Sequence, residues 1–475
     1  MKHIRRWWQR GAVLAVVAVL AVVAVETAPV VRARVALWRQ GVPLGDDVSA
    51  IHAASSADDV DTLELLLAAG ADLRAPKDQG DTPLQTAAAA NAPRAAAFLI
   101  AHGAAVDEVR NGRTPLSLAL EGGHIDVARV LLEQGADALA PVGDEGRPAP
   151  LHAVRTGDLK TMTLLLGFGV DPNVADSDGF PALVHAVARN DEPIARLLLE
   201  AGATPDVSSP APYRSLLEQA IRDGGRGMVD LLLAYGADPS VLSREGQPLV
   251  PVAVALGRAD ITAALLDAGA DVDTPVVPPV SKEFLALVPG NYARFYLTRD
   301  AGLTPLMVAV LRGDVGLTRM LMKRGASLGA TRERHKYPLG MAADRRNVPI
   351  MQVLLGRDPA EAARTRRIVI SISAQQATLY EHDEPTLRSR VSTGRPGFPT
   401  PPGDYVITDK RRYWESTIYE SAEMPYFMRL SCLDFGMHAG IVPNHPASHG
   451  CIRLPEDTAR KFFSEIPVGT LVSVQ

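Results

Sequence analysis

A short marker recurs through the middle of the chain at almost constant spacing: Gly70-Ala71-Asp72, Gly103-Ala104-Ala105, Gly135-Ala136-Asp137, Gly169-Val170-Asp171, Gly202-Ala203-Thr204, Gly236-Ala237-Asp238, Gly269-Ala270-Asp271 and Gly325-Ala326-Ser327. Successive gaps are 33, 32, 34, 33, 34, 33 and 56 residues. A unit that short cannot bury its own apolar face, so a fixed period near it forces the chain to stack copies of one supersecondary motif. Runs such as Leu65-Leu66-Leu67, Val130-Leu131-Leu132, Leu164-Leu165-Leu166, Leu197-Leu198-Leu199 and Leu231-Leu232-Leu233 precede the markers and supply the buried stripe of a helix, which the marker glycine then ends. Composition agrees: hydrophobic residues make up 47% but aromatics only 5%, so the apolar surface comes from Ala, Leu and Val, as in stacked small helices.

About twelve residues after most markers a second signal appears: Thr82-Pro83-Leu84, Thr114-Pro115-Leu116, Ala149-Pro150-Leu151-His152, Gln247-Pro248-Leu249, Thr304-Pro305-Leu306 and Tyr337-Pro338-Leu339. Thr at a cap followed by Pro at the first helical position opens a helix. Start signal and period together resemble the ankyrin repeat, matched over residues 48–358 in eight or nine copies, with departures such as Tyr213-Arg214-Ser215-Leu216. The resemblance implies a protein-docking surface or a spacer, with no chemistry of its own. The long gap holds an insertion from Thr274 to about Arg299, expected as a loop on one face, either a binding loop or a tolerated one. His52, His124, His152 and His185 are expected to be ordinary helix-pair histidines rather than metal ligands.

The chain opens with Lys2, Arg5, Arg6 and Arg10, then an apolar stretch from Gly11 to Val25 and Glu26-Thr27-Ala28-Pro29. That pattern is an export signal. Pro29 makes a poor cleavage site, and Trp7, Trp8 and Val30-Val31 extend the apolar segment at its edges. An uncleaved, single-pass signal anchor over residues 1–31 is therefore preferred to a cleaved peptide, with everything beyond it on the periplasmic side of the inner membrane. Net charge is −5 over 475 residues, with no basic block after the first dozen, so nucleic acid is not an expected partner.

Beyond Asp358 to Arg367 the period changes. Arg367 to Ser373 and Leu471 to Val474 alternate as strands do, with Thr378-Leu379-Tyr380, Ser389 to Ser392, a turn at Thr393 to Gly397 and Tyr405-Val406-Ile407 between them. One helix is expected from Glu456 to Ile466. The fold class expected is thus multidomain: an all-α solenoid followed by a mainly β domain.

The two cysteines, Cys432 and Cys451, both lie in this last part. Cys451 stands in Ser448-His449-Gly450-Cys451, with Met437-His438 upstream. A thiol becomes a nucleophile at neutral pH when a neighbouring base or cation promotes its thiolate, and His438 and His449 are both available. Gly450 allows a turn tight enough for backbone N–H groups to face a developing oxyanion. On chemistry alone this is a cysteine acyl transferase or peptidase. A zinc site from His438, His445, His449 and Cys451 has the right ligand types but no common zinc spacing, and a Cys432–Cys451 disulfide would bury the reactive thiol.

Here the sequence resembles the L,D-transpeptidases with a YkuD-type catalytic domain, over residues 366–475. The signature is His438, a spacer, then Ser448-His449-Gly450-Cys451-Ile452-Arg453. Leu379-Tyr380, Ser392-Thr393-Gly394, Thr400-Pro401-Pro402-Gly403 and Met424 to Met428 support it. The resemblance implies that Cys451 is the nucleophile and His438 the general base and acid, while Ser448, His449 and Gly450 shape the turn. Arg453 and Tyr426 are implied to bind substrate. The substrate would be a peptidoglycan tetrapeptide stem, acylating Cys451 at diaminopimelate with release of D-Ala and passing to an amine in a 3→3 cross-link, with no cofactor or metal. A carboxypeptidase or hydrolase, a lipoprotein-attaching enzyme and an inactive domain serving an ankyrin adaptor remain open.

Overall fold

The computed structural model describes residues 28–42, 45–77, 80–143, 145–207, 215–299, 302–329, 337–416, 422–443 and 445–475. The chain divides into two compact units at Val207 and Ser208. The expected signal anchor falls largely on residues 1–27, outside the described residues. Among the described residues no helix is long and apolar enough to cross a membrane.

The first unit opens with a helix over residues 28–39 and continues as five helix pairs, from Asp47–Ser56 with Val60–Ala68 to Ala182–Ala188 with Glu192–Glu200. The start signals act as caps. Thr82 and Gln85 form a reciprocal capping box ahead of Pro83, and Thr114 and Ser117 form another ahead of Pro115. Asp59, Asp158 and Asp191 cap second helices through the backbone N–H three residues on. The eight marker glycines all have φ between +80° and +96°, the left-handed conformation that ends a helix without a Cβ penalty. Leu63, Leu66, Leu84, Leu99, Leu116 and Leu131 form the continuous core.

The second unit carries four more helix pairs, beginning with Leu216–Asp223 and Arg226–Ala234. At the departure noted in the sequence, Ser215 caps the first helix, and the fully buried Glu218 pairs with Arg222 at 2.7 Å. The insertion is not an irregular loop. It forms two short helices, Lys282–Leu287 and Asn291–Arg299, because Phe284, Val288, Tyr296 and Leu297 bury themselves against the neighbouring repeat. Arg312 ties it down by donating to the Leu287 carbonyl at 2.7 Å.

The last repeat ends in helix α1 (Val348–Leu354), followed by α2 (Pro359–Thr365) and the sheet domain. Its strands are β1 (Arg366–Ser371), β2 (Gln376–Glu381), β3 (Glu384–Arg390), β4 (Gly403–Arg411), β5 (Phe427–Leu430), β6 (Gly436–Ala439), β7 (Ile452–Leu454) and β8 (Leu471–Val474), with helix α3 (Glu456–Glu465) before β8. They form one sheet in the order β3-β2-β1-β8-β4-β5-β6-β7. Only the β8–β1 and β6–β7 pairs are parallel. After β3 the chain reaches the far end of this order: Ser392 bridges Arg453, and Gly394 bridges Ser448. The sheet is thereby nearly closed into a barrel, filled by Ile368, Tyr405, Met428, Met437, Ile452 and Phe462.

The sheet domain sits directly on α1. Gln352, almost fully buried, donates from its side-chain amide to the Gly469 carbonyl at 3.2 Å, while the Gly469 N–H donates to Ile407 at 2.7 Å.

Candidate active site

The site arises from strand alternation. Met437 and Ala439 of β6, with Ile452 and Leu454 of β7, point into the core, so His438 and Arg453 between them face the other way. The parallel register makes His438 and Arg453 direct neighbours, and Cys451, two residues before Arg453, shares their side. All three line one cavity of about 330 Å3, together with Ser448, His449, Met424, Glu423, Asp434 and Ile441. His438 is only 7% exposed and Cys451 is half-buried. Both cysteines are free thiols.

His438 donates its Nδ1 proton to the Ala439 carbonyl at 2.8 Å; the backbone oxygen can only accept. The Nε2 lone pair is thereby the ring's basic end. Burial, with the Arg453 charge adding to it, pulls the imidazole down to about 4 against the opposing pull of the Ala439 carbonyl. Burial pushes the Cys451 thiol up, while the Gly436 backbone N–H and the Arg453 guanidinium favour its thiolate. Near neutral pH the two groups therefore rest as a neutral thiol and a neutral imidazole.

The nucleophile turn is held from one side. Gly450 has φ +109°, and its carbonyl accepts from Thr400 Oγ1 at 2.8 Å, an atom that itself accepts from the Gly394 N–H at 2.8 Å. Thr393 accepts from the N–H of both Ala447 and Ser448, and the Arg395 N–H donates to the Ser448 carbonyl at 2.9 Å. A Cβ on Gly394 would strike the Phe398 carbonyl and the Thr400 nitrogen, so that crossing requires glycine. Gly436 is constrained in the same way by the Met428 carbonyl and the Phe427 ring.

The structure thus brings together Cys451, His438, Ser448, His449, Gly450 and Arg453. Tyr426 lies outside the cavity lining: its ring packs edge-on against Phe463 at 5.7 Å, and its hydroxyl bonds Arg460. His445 is exposed, and its carbonyl accepts from Ser392. Among the described residues no group of three His, Cys, Asp or Glu side chains is placed to hold a metal ion. Of the repeat histidines, His52 bonds Thr86 at 2.7 Å, His124 the Ala89 carbonyl at 3.0 Å and His185 Asp176 at 2.8 Å, while the buried Nδ1 of His152 has no hydrogen-bond partner among the described residues. Sequence reasoning missed Gly436, Glu423, Asp434 and Arg395. Thr400 and Gly394 stood in quoted motifs, but nothing in the sequence told that they brace Gly450.

Fold and site define a two-part chain, a helix-pair solenoid followed by a sheet domain with a thiol–imidazole centre. The second part is an L,D-transpeptidase domain: residues 365–474 match the L,D-transpeptidase catalytic domain family, YkuD. Upstream, residues 51–142, 151–199 and 301–332 match ankyrin repeats. An L,D-transpeptidase from Mycobacterium smegmatis is similar at 25% identity and TM-score 0.22, covering 23% of this chain and 58% of that one. The human ASB11 ankyrin repeat domain is similar at 25% identity and TM-score 0.36, covering 46% and 98%. An ankyrin repeat protein of Rickettsia felis is 36% identical over 104 residues, covering 20% of this chain and 45% of that protein. The chain spans less than half the length of the curated relatives it matches.

Proposed function

We propose that this chain is a peptidoglycan L,D-transpeptidase. The observation that carries the reading is the sharing of one cavity by Cys451 and His438, with His438 Nδ1 committed to the Ala439 carbonyl so that Nε2 is the basic end. The Cys451 proton passes to His438 Nε2 as sulfur attacks the diaminopimelate carbonyl of a tetrapeptide stem. His438 returns that proton to the departing D-Ala nitrogen when the C–N bond breaks, leaving a thioester. An acceptor amine then attacks the thioester carbonyl, gives its proton to His438, and expels the sulfur, which recovers the proton. No acceptor within the described residues takes the N–H of Gly450 or Cys451, which supports their use as oxyanion donors. Arg453 supplies positive charge for a stem carboxylate, and Glu423 and Asp434 stand at the same cavity.

The ankyrin array serves as a spacer or as a protein-docking surface. The basic and apolar residues 2–25 support an anchor in the inner membrane with the catalytic domain on its periplasmic side. Acid-quenched intact-mass spectrometry with a tetrapeptide muropeptide tests the chemistry. A Cys451 adduct lacking D-Ala is expected when the reaction is quenched during turnover, and D-Ala release by Cys451→Ala at the wild-type rate would refute the covalent route.

A further inference from the structure

The nucleophile motif offers two histidines, and both line the catalytic cavity. Their ring nitrogens are committed in opposite senses. His438 spends Nδ1 on a carbonyl, so its proton is there and Nε2 is basic. His449 spends Nε2 on the Arg395 guanidinium, whose NH2 group lies 2.7 Å away. A guanidinium has donors and no acceptor, so His449 Nε2 must be the bare nitrogen, and in the neutral ring the proton sits on Nδ1.

We propose that Arg395 is a positioning residue for the nucleophile turn, which occupies the His449 Nε2 lone pair and so leaves the Cys451 proton to His438 alone. Three contacts converge on this role. The Arg395 backbone N–H donates to the Ser448 carbonyl at 2.9 Å, fixing the residue before His449. The Arg395 guanidinium stands 5.3 Å from the centre of the Phe398 ring. That ring in turn lies tilted against His449 at 4.9 Å, so the imidazole is held both through its Nε2 and against an aromatic face. One residue from the turn at Thr393 to Gly397 thus sets backbone position, ring orientation and tautomer two residues ahead of the nucleophile.

The inference rests on the proposed cysteine chemistry only for its kinetic arm. Its structural arm is the ring state of His449, read in the full chain by long-range 1H–15N correlation of labelled histidines, with His449→Gln assigning the signal. The wild type is expected to show His449 protonated at Nδ1. Arg395→Ala is expected to shift it toward the Nε2–H form that neutral histidines ordinarily prefer, and Arg395→Lys to retain the wild-type pattern. In parallel, acylation of Cys451 by a carbapenem, whose ring amide C–N bond opens as the sulfur–carbon bond forms, should slow about tenfold in Arg395→Ala and recover in part in Arg395→Lys. A wild-type His449 carrying its proton on Nε2, or a tautomer and acylation rate unchanged in Arg395→Ala, would overturn the proposal. If Arg395→Ala fails to fold, the wild-type tautomer alone still decides it. If acylation is absent in every form while the tautomer shifts as expected, the cysteine chemistry fails and the positioning role stands.

Discussion

In the proposed reaction Cys451 and His438 divide the work, and their surroundings act on them in opposite directions. Burial raises the thiol and lowers the imidazole to about 4, so the resting pair is neutral and His438 retains its basic nitrogen well below pH 7. The rate of Cys451 acylation should accordingly stay flat from pH 7 to about pH 5 and fall only as His438 protonates near 4, measured by stopped-flow acylation across that range. Replacing His438 by Ala should cost about 10² to 10⁴ in that rate. Stability carries the same signature. A histidine in the unfolded chain titrates near about 6.5, so between there and about 4 the unfolded chain binds the extra proton. Stability is then lost as pH falls through this window, and His438→Gln should flatten that slope in thermal melts. Motif residues were legible in the sequence because chemistry dictates their types. Arg395 and Gly436 were not, since their contacts with Ser448 and Met428 exist only in the folded sheet, and Glu423 and Asp434 reach the cavity lining only there. Tyr426 carried a substrate role by resemblance, yet it packs on Phe463 outside the cavity lining.

At the scale of elements, the repeat helices could be read from sequence because their signals are local: a cap, a proline, a leucine run and a glycine within one period. The helix expected at Glu456 to Ile466 was legible for the same reason and is present as Glu456–Glu465. Strand order was not. β8, last in sequence, lies between β1 and β4, and no local pattern encodes which strand a C-terminal segment will join. β7, at three residues, is too short for alternation to announce it, and β5, Phe427-Met428-Arg429-Leu430, does not alternate. The insertion helices escaped for another reason: prolines dominate its sequence, while its aromatics fold against a neighbour. Two junctions test this account of the packing. Gln352→Ala leaves the buried Gly469 carbonyl without its donor and should cost about 1–3 kcal/mol in chemical denaturation of the second unit. Gly436→Ala places a methyl against the Met428 carbonyl and should destabilise by at least about 2 kcal/mol while lowering Cys451 acylation, because Gly436 also serves the sulfur.

For the whole molecule, an L,D-transpeptidase domain follows an ankyrin array in one chain, and within the second unit the last repeat packs directly on the sheet. Export by the N-terminal segment is a separate claim with its own check: fractionation should place the full chain in the inner membrane and a chain lacking residues 2–31 in the cytoplasm. The central claim is transfer of a stem peptide from Cys451 to an amine, and its most direct measurement is mass spectrometry of tetrapeptide-bearing muropeptides incubated with purified protein. Wild type is expected to yield a cross-linked dimer with loss of one D-Ala, and Cys451→Ala none. A wild type that releases D-Ala and leaves only tripeptides would contradict transfer, and one that leaves the tetrapeptides untouched would contradict the enzyme altogether.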